Sequence, residues 1–153
     1  MLKKSLFLIL LAAQGLTCFA QQESEVELDI GLITSGHWFS SLEEALANPE
    51  QVYYLDLSLR KLKTFPKDIF ALKNLKRLYV ANNYWPAIPD EIATLSQLEV
   101  LDISSNYYMK RLPVEALSKM NNLKHIIIKD HALVPGEVDR LRKAMPHCKI
   151  ESD

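Results

Sequence analysis

Three side chains suited to metal binding or proton transfer lie close together in the sequence, at His125, Asp130 and His131. Imidazole and carboxylate groups bind zinc, and histidine is the commonest general base. Their spacing does not match the H-E-x-x-H motif, and the chain has no G-x-S-x-G nucleophile motif, phosphate-binding loop or dinucleotide fingerprint. We therefore predict a protein that is not an enzyme and has no catalytic residue, metal site or cofactor.

An internal repeat supplies the elements that would position these residues. Similar segments begin at Val52, Leu75, Leu98 and Leu123, and their starts are 23, 23 and 25 residues apart. Within each segment apolar residues alternate with other residues, as in VYYLDLSL and LKRLYVAN, which predicts a short strand with one buried face. One unit buries about seven side chains, at about 1.5 to 3 kcal/mol each, which is less than the entropy of ordering it. The units must therefore stack to fold.

The repeat resembles that of the leucine-rich repeat family, whose unit reads L-x-x-L-x-L-x-x-N-x-L and continues toward L-P-x-x-I. Asn83 and Asn106 fill the asparagine slot in the second and third units, while Arg60 and His131 replace it in the terminal units. The resemblance implies an α/β fold, in which a short solenoid carries parallel strands on its concave face. In that register His125 points to the open face and His131 lies in a turn, so their side chains should not converge.

Both ends of the repeat array are expected to carry a helical cap. Ser41 and Glu44 form a capping-box pattern at the start of a short helix, and residues 137–145 place Val138, Leu141 and Met145 on one helical face. The sequence thus divides into a signal peptide at 1–20, a leader with an N-terminal capping helix at 21–51, repeats at 52–136, and a C-terminal cap at 137–153.

The open face of the sheet is the surface on which we expect a protein or peptide partner to bind. Tyrosine and arginine are enriched at protein interfaces, and this face combines them with charged and apolar side chains. The candidate partner-binding residues are Tyr54, Asp56, Arg77, Tyr79, Val100, Asp102, His125, Ile127 and Lys129. A second, smaller candidate surface is Tyr84 with Tyr107, whereas Trp85 and Tyr108 are expected to stack in the core.

The overall composition argues against two classes of partner. The chain has 153 residues, 18 basic and 19 acidic, for a formal charge of −1. Without a basic excess, neither a nucleic acid nor an anionic membrane surface is expected to attract it.

The first twenty residues predict export. MLKKSLFLILLAAQGLTCFA has two lysines, a short apolar run and small residues at Cys18 and Ala20, which is typical of a secretory signal peptide and resembles bacterial ones. Cleavage after Ala20 would leave Cys148 as the single cysteine, so no intramolecular disulfide is expected. In the alternative interpretation Cys18 is acylated, although the residues before it fit a lipoprotein signal poorly.

The sequence as a whole predicts an exported, non-enzymatic repeat protein that binds a protein or peptide through its concave sheet. The alternative is a structural or envelope-associated repeat module, lipid-anchored at Cys18. No transmembrane segment is expected after removal of the signal. The identity of the partner and the oligomeric state are not encoded in any motif of the chain.

Overall fold

The computed structural model describes residues 37–153. The predicted signal peptide at residues 1–20, with Cys18, and the leader up to residue 36 lie outside the described residues. The division of the remaining chain into N-terminal helix, repeats and C-terminal cap stays a prediction, although the elements themselves can be placed.

The described residues form one sheet of six parallel strands, in which each strand pairs with the next along the chain. This arrangement confirms the α/β repeat solenoid. Two strands lie outside the four repeat strands, one at each end of the sheet. The strands are β1 (Trp38–Phe39), β2 (Tyr54–Asp56), β3 (Arg77–Tyr79), β4 (Val100–Asp102), β5 (His125–Ile128) and β6 (Lys149–Ser152).

Short return segments connect the parallel strands on the side of the sheet opposite to its open face. After β2 and β3 the returns contain 3₁₀ helices, Lys67–Ala71 and Asp90–Thr94, and after β4 the return contains helix α2, Val114–Leu117. Each of the three begins directly after a proline. Proline has no N–H, and the N–H groups at a helix start lack intrahelical partners, so this placement leaves fewer donors unsatisfied.

The core is a continuous stack of the inward slots that the repeat predicts. The register aligns Leu55, Leu78, Leu101 and Ile126 across four strands, and all four are fully buried. The inward side chains of each unit pack against one another and against those of the next unit. Burial of each aliphatic side chain stabilises the fold by about 1.5 to 3 kcal/mol. Trp85 is also fully buried, in the inward slot expected for it.

Two asparagines join the turns of neighbouring units. The Asn83 amide nitrogen donates to the carbonyl oxygens of Leu57 at 3.0 Å and Val80 at 3.1 Å, and its oxygen accepts from the Leu62 N–H at 3.0 Å. The Asn106 oxygen accepts from the Asn83 N–H at 3.0 Å. The side chains thereby satisfy backbone groups of a buried turn that would otherwise lack partners.

A helix lies at each end of the stack. Helix α1 spans Leu42–Ala47, and the Ser41 hydroxyl at its start accepts from the Glu44 N–H at 3.4 Å, as the capping box predicts. Helix α3 spans Glu137–Ala144 and buries Leu141 completely. Within residues 37–153 none of the helices has the length and apolar character needed to cross a lipid bilayer.

Candidate functional site

The open face of the sheet, which we call the concave face, presents two rows of side chains because strand residues alternate between the two faces. The register extends each predicted row to the added strands. The first row consists of Trp38, Tyr54, Arg77, Val100, His125 and Lys149, and the second of Asp56, Tyr79, Asp102, Ile127 and Glu151.

An aromatic and cationic cluster occupies the β1 end of the concave face. Trp38 stacks on Tyr54 with ring centroids 5.6 Å apart and lies 5.7 Å from the Tyr79 ring. The Arg77 guanidinium lies 5.4 Å from the centre of the Tyr54 ring. Because Trp38 and Arg77 cover it, Tyr54 is only 3% exposed, and its expected exposure is wrong. Trp38 and Tyr79, which are half-buried, present the accessible aromatic surface here.

The two aspartates of the face have hydrogen bonds of their own. Asp56 accepts from the Ser58 N–H at 2.8 Å, and Asp102 accepts from the Ser104 N–H at 2.9 Å. The serine hydroxyls then accept backbone N–H groups of the next unit, Ala81 for Ser58 and Lys129 for Ser104. Asp56 and Asp102 therefore shape the strand ends, a role that the recurring D-x-S pattern could have indicated.

Glu151 organises the opposite end of the concave face. Its carboxylate accepts a close hydrogen bond from the Lys129 ammonium and lies 3.2 Å from His125 Nε2 and 3.8 Å from Lys149 Nζ. The contact with Lys129, followed by the His125 hydrogen bond, lowers the pKa of Glu151. The same pair raises the pKa of Lys129. Sequence analysis missed Glu151 and Lys149 because β6 lies outside the recognisable repeat.

Between these two ends lies a shallow depression of about 230 Å³. Lys124 and Glu99 form an ion pair at 2.9 Å on one side of it. Tyr79 and the half-buried apolar residues Val100 and Ile127 provide the contact surface. The depression is lined by Arg77, Tyr79, Glu99, Val100, Lys124, His125 and Ile127. The lining is mainly polar, with charges of both signs and a small apolar part. Such a site can hydrogen-bond a polypeptide backbone and contact an apolar side chain beside it.

The two histidines that could have formed a metal site have separate surroundings. His125 contacts Glu151 on the concave face, whereas Nδ1 of His131 accepts from the Leu133 N–H at 3.3 Å within a turn. Among residues 37–153 there is no group of three histidine, cysteine, aspartate or glutamate side chains arranged to hold a metal ion.

The tyrosines after β3 and β4 differ in part from their prediction. Tyr84 and Tyr107 are exposed as expected, but Tyr108 is 63% exposed and the inward slot is filled by Met109, which is 1% exposed. The prediction of Tyr108 in the core is therefore wrong. The third unit has one extra residue, and it lies between Asn106 and Met109. The inward residue is therefore the third after the asparagine in this unit, and not the second as Trp85 is after Asn83.

Comparisons with known proteins agree with this architecture. A family model described as leucine rich repeat matches residues 50–107 and 73–133. The solved structure of a leucine-rich repeat protein from Leptospira interrogans is similar, with a TM-score of 0.63 and 31% sequence identity over 74% of this chain. The chain spans 28% of the length of that protein.

Proposed function

The chain belongs to the leucine-rich repeat family, whose domains typically bind proteins, and from that premise we propose an exported, non-enzymatic module that binds a protein or peptide on its concave face. The observation that carries this proposal is the junction of the aromatic cluster with the central depression. Tyr79 and Arg77 belong to both.

The chemistry of this junction suits an extended polypeptide. Tyr79 offers a rigid aromatic surface at low entropic cost, and Val100 and Ile127 offer apolar contact beside it. Charges of both signs flank the depression, at Lys124 with Glu99 on one side. A ligand with an apolar anchor and polar or charged neighbours would find a partner for each group.

The width of the sheet sets the size of the ligand. Neighbouring strands lie about 4.8 Å apart, so the five intervals between β1 and β6 span about 24 Å. An extended chain advances about 3.3 Å per residue, so about seven residues cross the face. We therefore expect a linear segment of that length as the minimal ligand.

The experiment compares peptides selected from a display library on the intact protein. The double variant Arg77→Ala/Tyr79→Ala should bind a selected peptide at least about tenfold more weakly in calorimetry, since tyrosine and arginine are the usual interface hot spots. Lys67→Ala, on a return segment, serves as the control and should bind like the unmodified protein. Equal affinity of the double variant, with an intact unfolding transition, would exclude the concave face.

Export is a separate part of the proposal and rests on residues 1–20. Mass spectrometry of the protein recovered from an exporting host should find an unmodified N-terminus at Gln21. An acylated Cys18 would instead support the alternative, an envelope-associated module held by lipid.

A further inference from the structure

The turns after β2, β3 and β4 carry the exposed large hydrophobic side chains of the described chain. We call these turns, residues 59–64, 82–87 and 105–111, the turn edge. Among residues 37–153 the exposed large hydrophobic side chains are Leu59 at 70%, Tyr84 at 40%, Tyr107 at 53% and Tyr108 at 63% exposure. Because the strands are parallel, the turns that follow them lie along one edge of the sheet. Four exposed apolar side chains therefore lie along one edge of the sheet, and the rings of two of them, Tyr84 and Tyr108, are in contact.

The first and third of these turns are strongly cationic, and residues 82–87 contain no charged side chain. The three turns contain no aspartate or glutamate, although the whole chain has a formal charge of −1. Arg111 lies 3.7 Å from the buried carboxylate of Glu137, yet its side chain remains 74% exposed. Acidic residues flank the turns, at Asp56 and Asp102 in the strands that precede two of them, at Glu43 and Glu44 in α1, and at Asp130 in the fourth turn. The basic residues of the turn edge are Arg60, Lys61, Lys63, Lys110 and Arg111, all exposed.

The repeat register places the aromatic and cationic side chains in a row. Lys61 and Tyr84 occupy the same slot of successive units, and the Tyr84 N–H donates to the Leu62 carbonyl at 2.8 Å. The Tyr84 and Tyr108 rings then meet edge to face with centroids 5.8 Å apart. The row is therefore built by the fold, and it runs from Lys61 through the tyrosines to the basic residues after Met109.

We propose that the turn edge binds an anionic lipid surface. Tyrosines favour the level of the lipid headgroups, where the ring contacts apolar groups and the hydroxyl meets water. Lysine and arginine extend their charged ends toward lipid phosphates while their aliphatic stems cover apolar surface. Leu59, at 70% exposure beside Arg60, fits an apolar lipid phase better than any polar partner.

Other anionic partners fit the turn edge less well. Single-stranded nucleic acid binds through aromatic faces that bases can stack on, and here Tyr84 and Tyr108 are turned against each other at 69°. A tightly bound acidic protein would require anchors set in pockets. A pocket of about 330 Å³ reaches the turn edge at Arg60 and Leu62, but none of the three exposed tyrosines lines it. The net charge of −1 argued against binding to an anionic membrane surface. The net charge does not report how basic and acidic residues are distributed along the solenoid.

The test measures binding of the full protein to vesicles of phosphatidylcholine with and without phosphatidylglycerol. The unmodified protein should bind only the vesicles that contain phosphatidylglycerol. Lys61→Gln/Lys63→Gln should weaken this binding by about fivefold for each cation removed. The control Lys73→Gln/Lys119→Gln removes the same charge from exposed positions outside the turn edge and should bind normally. All variants share one N-terminus, so a difference between them arises from the substituted side chains.

A second variant tests the apolar part of the surface. Tyr107→Ser/Tyr108→Ser should reduce the binding that persists at high salt, because salt screens the cations and not the aromatic contacts. Equal binding to both vesicle types, or equal losses in the turn-edge and control lysine variants, would overturn the proposal. Binding of polyglutamate without binding of anionic vesicles would overturn it in favour of an acidic protein partner. None of these outcomes depends on whether the concave face binds a peptide.

Discussion

At the scale of single residues, Asn83 makes four side-chain hydrogen bonds, as many as Asn106 does in the next unit. It is fully buried, and its amide nitrogen donates to three carbonyl oxygens, those of Leu57, Val80 and Ala81. Its oxygen holds the Leu62 N–H. One side chain thus connects the turn after β2 with the turn after β3, and no apolar residue of similar size could replace its hydrogen bonds.

We predict that Asn83→Ala destabilises the protein by about 2 to 4 kcal/mol, because it leaves buried backbone groups without partners. Chemical denaturation would measure this loss as a lower midpoint at an unchanged m-value. Asn121→Ala, at an exposed turn position, is the matched control and should change the free energy of unfolding by less than about 0.5 kcal/mol. Similar costs for the two variants would contradict the structural role of the amide.

At the scale of elements, the pairing of β5 with β6 joins the repeats to the C-terminal strand. The strands pair from His125 with Lys149 to Ile128 with Ser152. On the concave side Glu151 of β6 contacts Lys129, His125 and Lys149. Without the repeat pattern to place it, β6 is held by this charge cluster and by the partly buried Ile150.

We predict a pH dependence from this cluster. Glu151 has a pKa below its ordinary value of 4.5 in the folded protein, chiefly through Lys129. The folded state therefore gains stability from this group above pH 4.5, and the gain is lost as the pH falls through the lowered pKa. Unfolding of Glu151→Gln should begin at lower temperature than that of the unmodified protein at pH 7.

The difference between the two proteins should disappear under acidic conditions, where both side chains are uncharged. The control is Glu43→Gln, which replaces an exposed carboxylate in the first turn of α1. It should not show the same pH-dependent difference in unfolding temperature as Glu151→Gln. A difference that persists unchanged to pH 2 would show that packing, and not charge, accounts for the role of Glu151.

At the scale of the whole molecule, the question is how far one end of the stack depends on the other. Buried side chains run without a break from Ala45 in α1 to Cys148 beside β6. In repeat proteins stability is a sum over units and their interfaces, so strong interfaces make the stack unfold as one. Cys148 reports on the C-terminal end, because burial raises the pKa of its thiol and slows its reaction.

We predict that Leu55→Ala, at the N-terminal end of the core, accelerates thiol labelling of Cys148. Truncation of a fully buried leucine costs about 2 to 5 kcal/mol, which raises the open population at least about thirtyfold in a cooperative stack. The experiment uses a Cys18→Ser background so that one thiol reacts. Leu59→Ala, at a 70% exposed position, is the control and should leave the rate unchanged. An unchanged rate in Leu55→Ala would show that the C-terminal end opens independently.

The sequence by itself determined the repeat, its register and its inward slots. Buried positions can be predicted from apolar residues at fixed spacing, because each unit needs an apolar side chain at the same inward positions. The spacing predicted that Leu55, Leu78, Leu101 and Trp85 are buried and that Asn83 stabilises the turn. The structure confirms both predictions.

Only the tertiary structure decided which of the outward-facing side chains are covered by neighbours and which are exposed. Tyr54 is buried because Trp38, in a strand outside the repeat, stacks on it. Tyr108 is exposed because the extra residue of the third unit lies before Met109, which fills the inward slot. The repeat spacing alone is compatible with several positions for this extra residue. The charge separation along the turn edge also emerged only from the stack, because residues 23 apart in sequence become neighbours when parallel strands align. Burial and proximity depend on such long-range neighbours, which local spacing cannot encode.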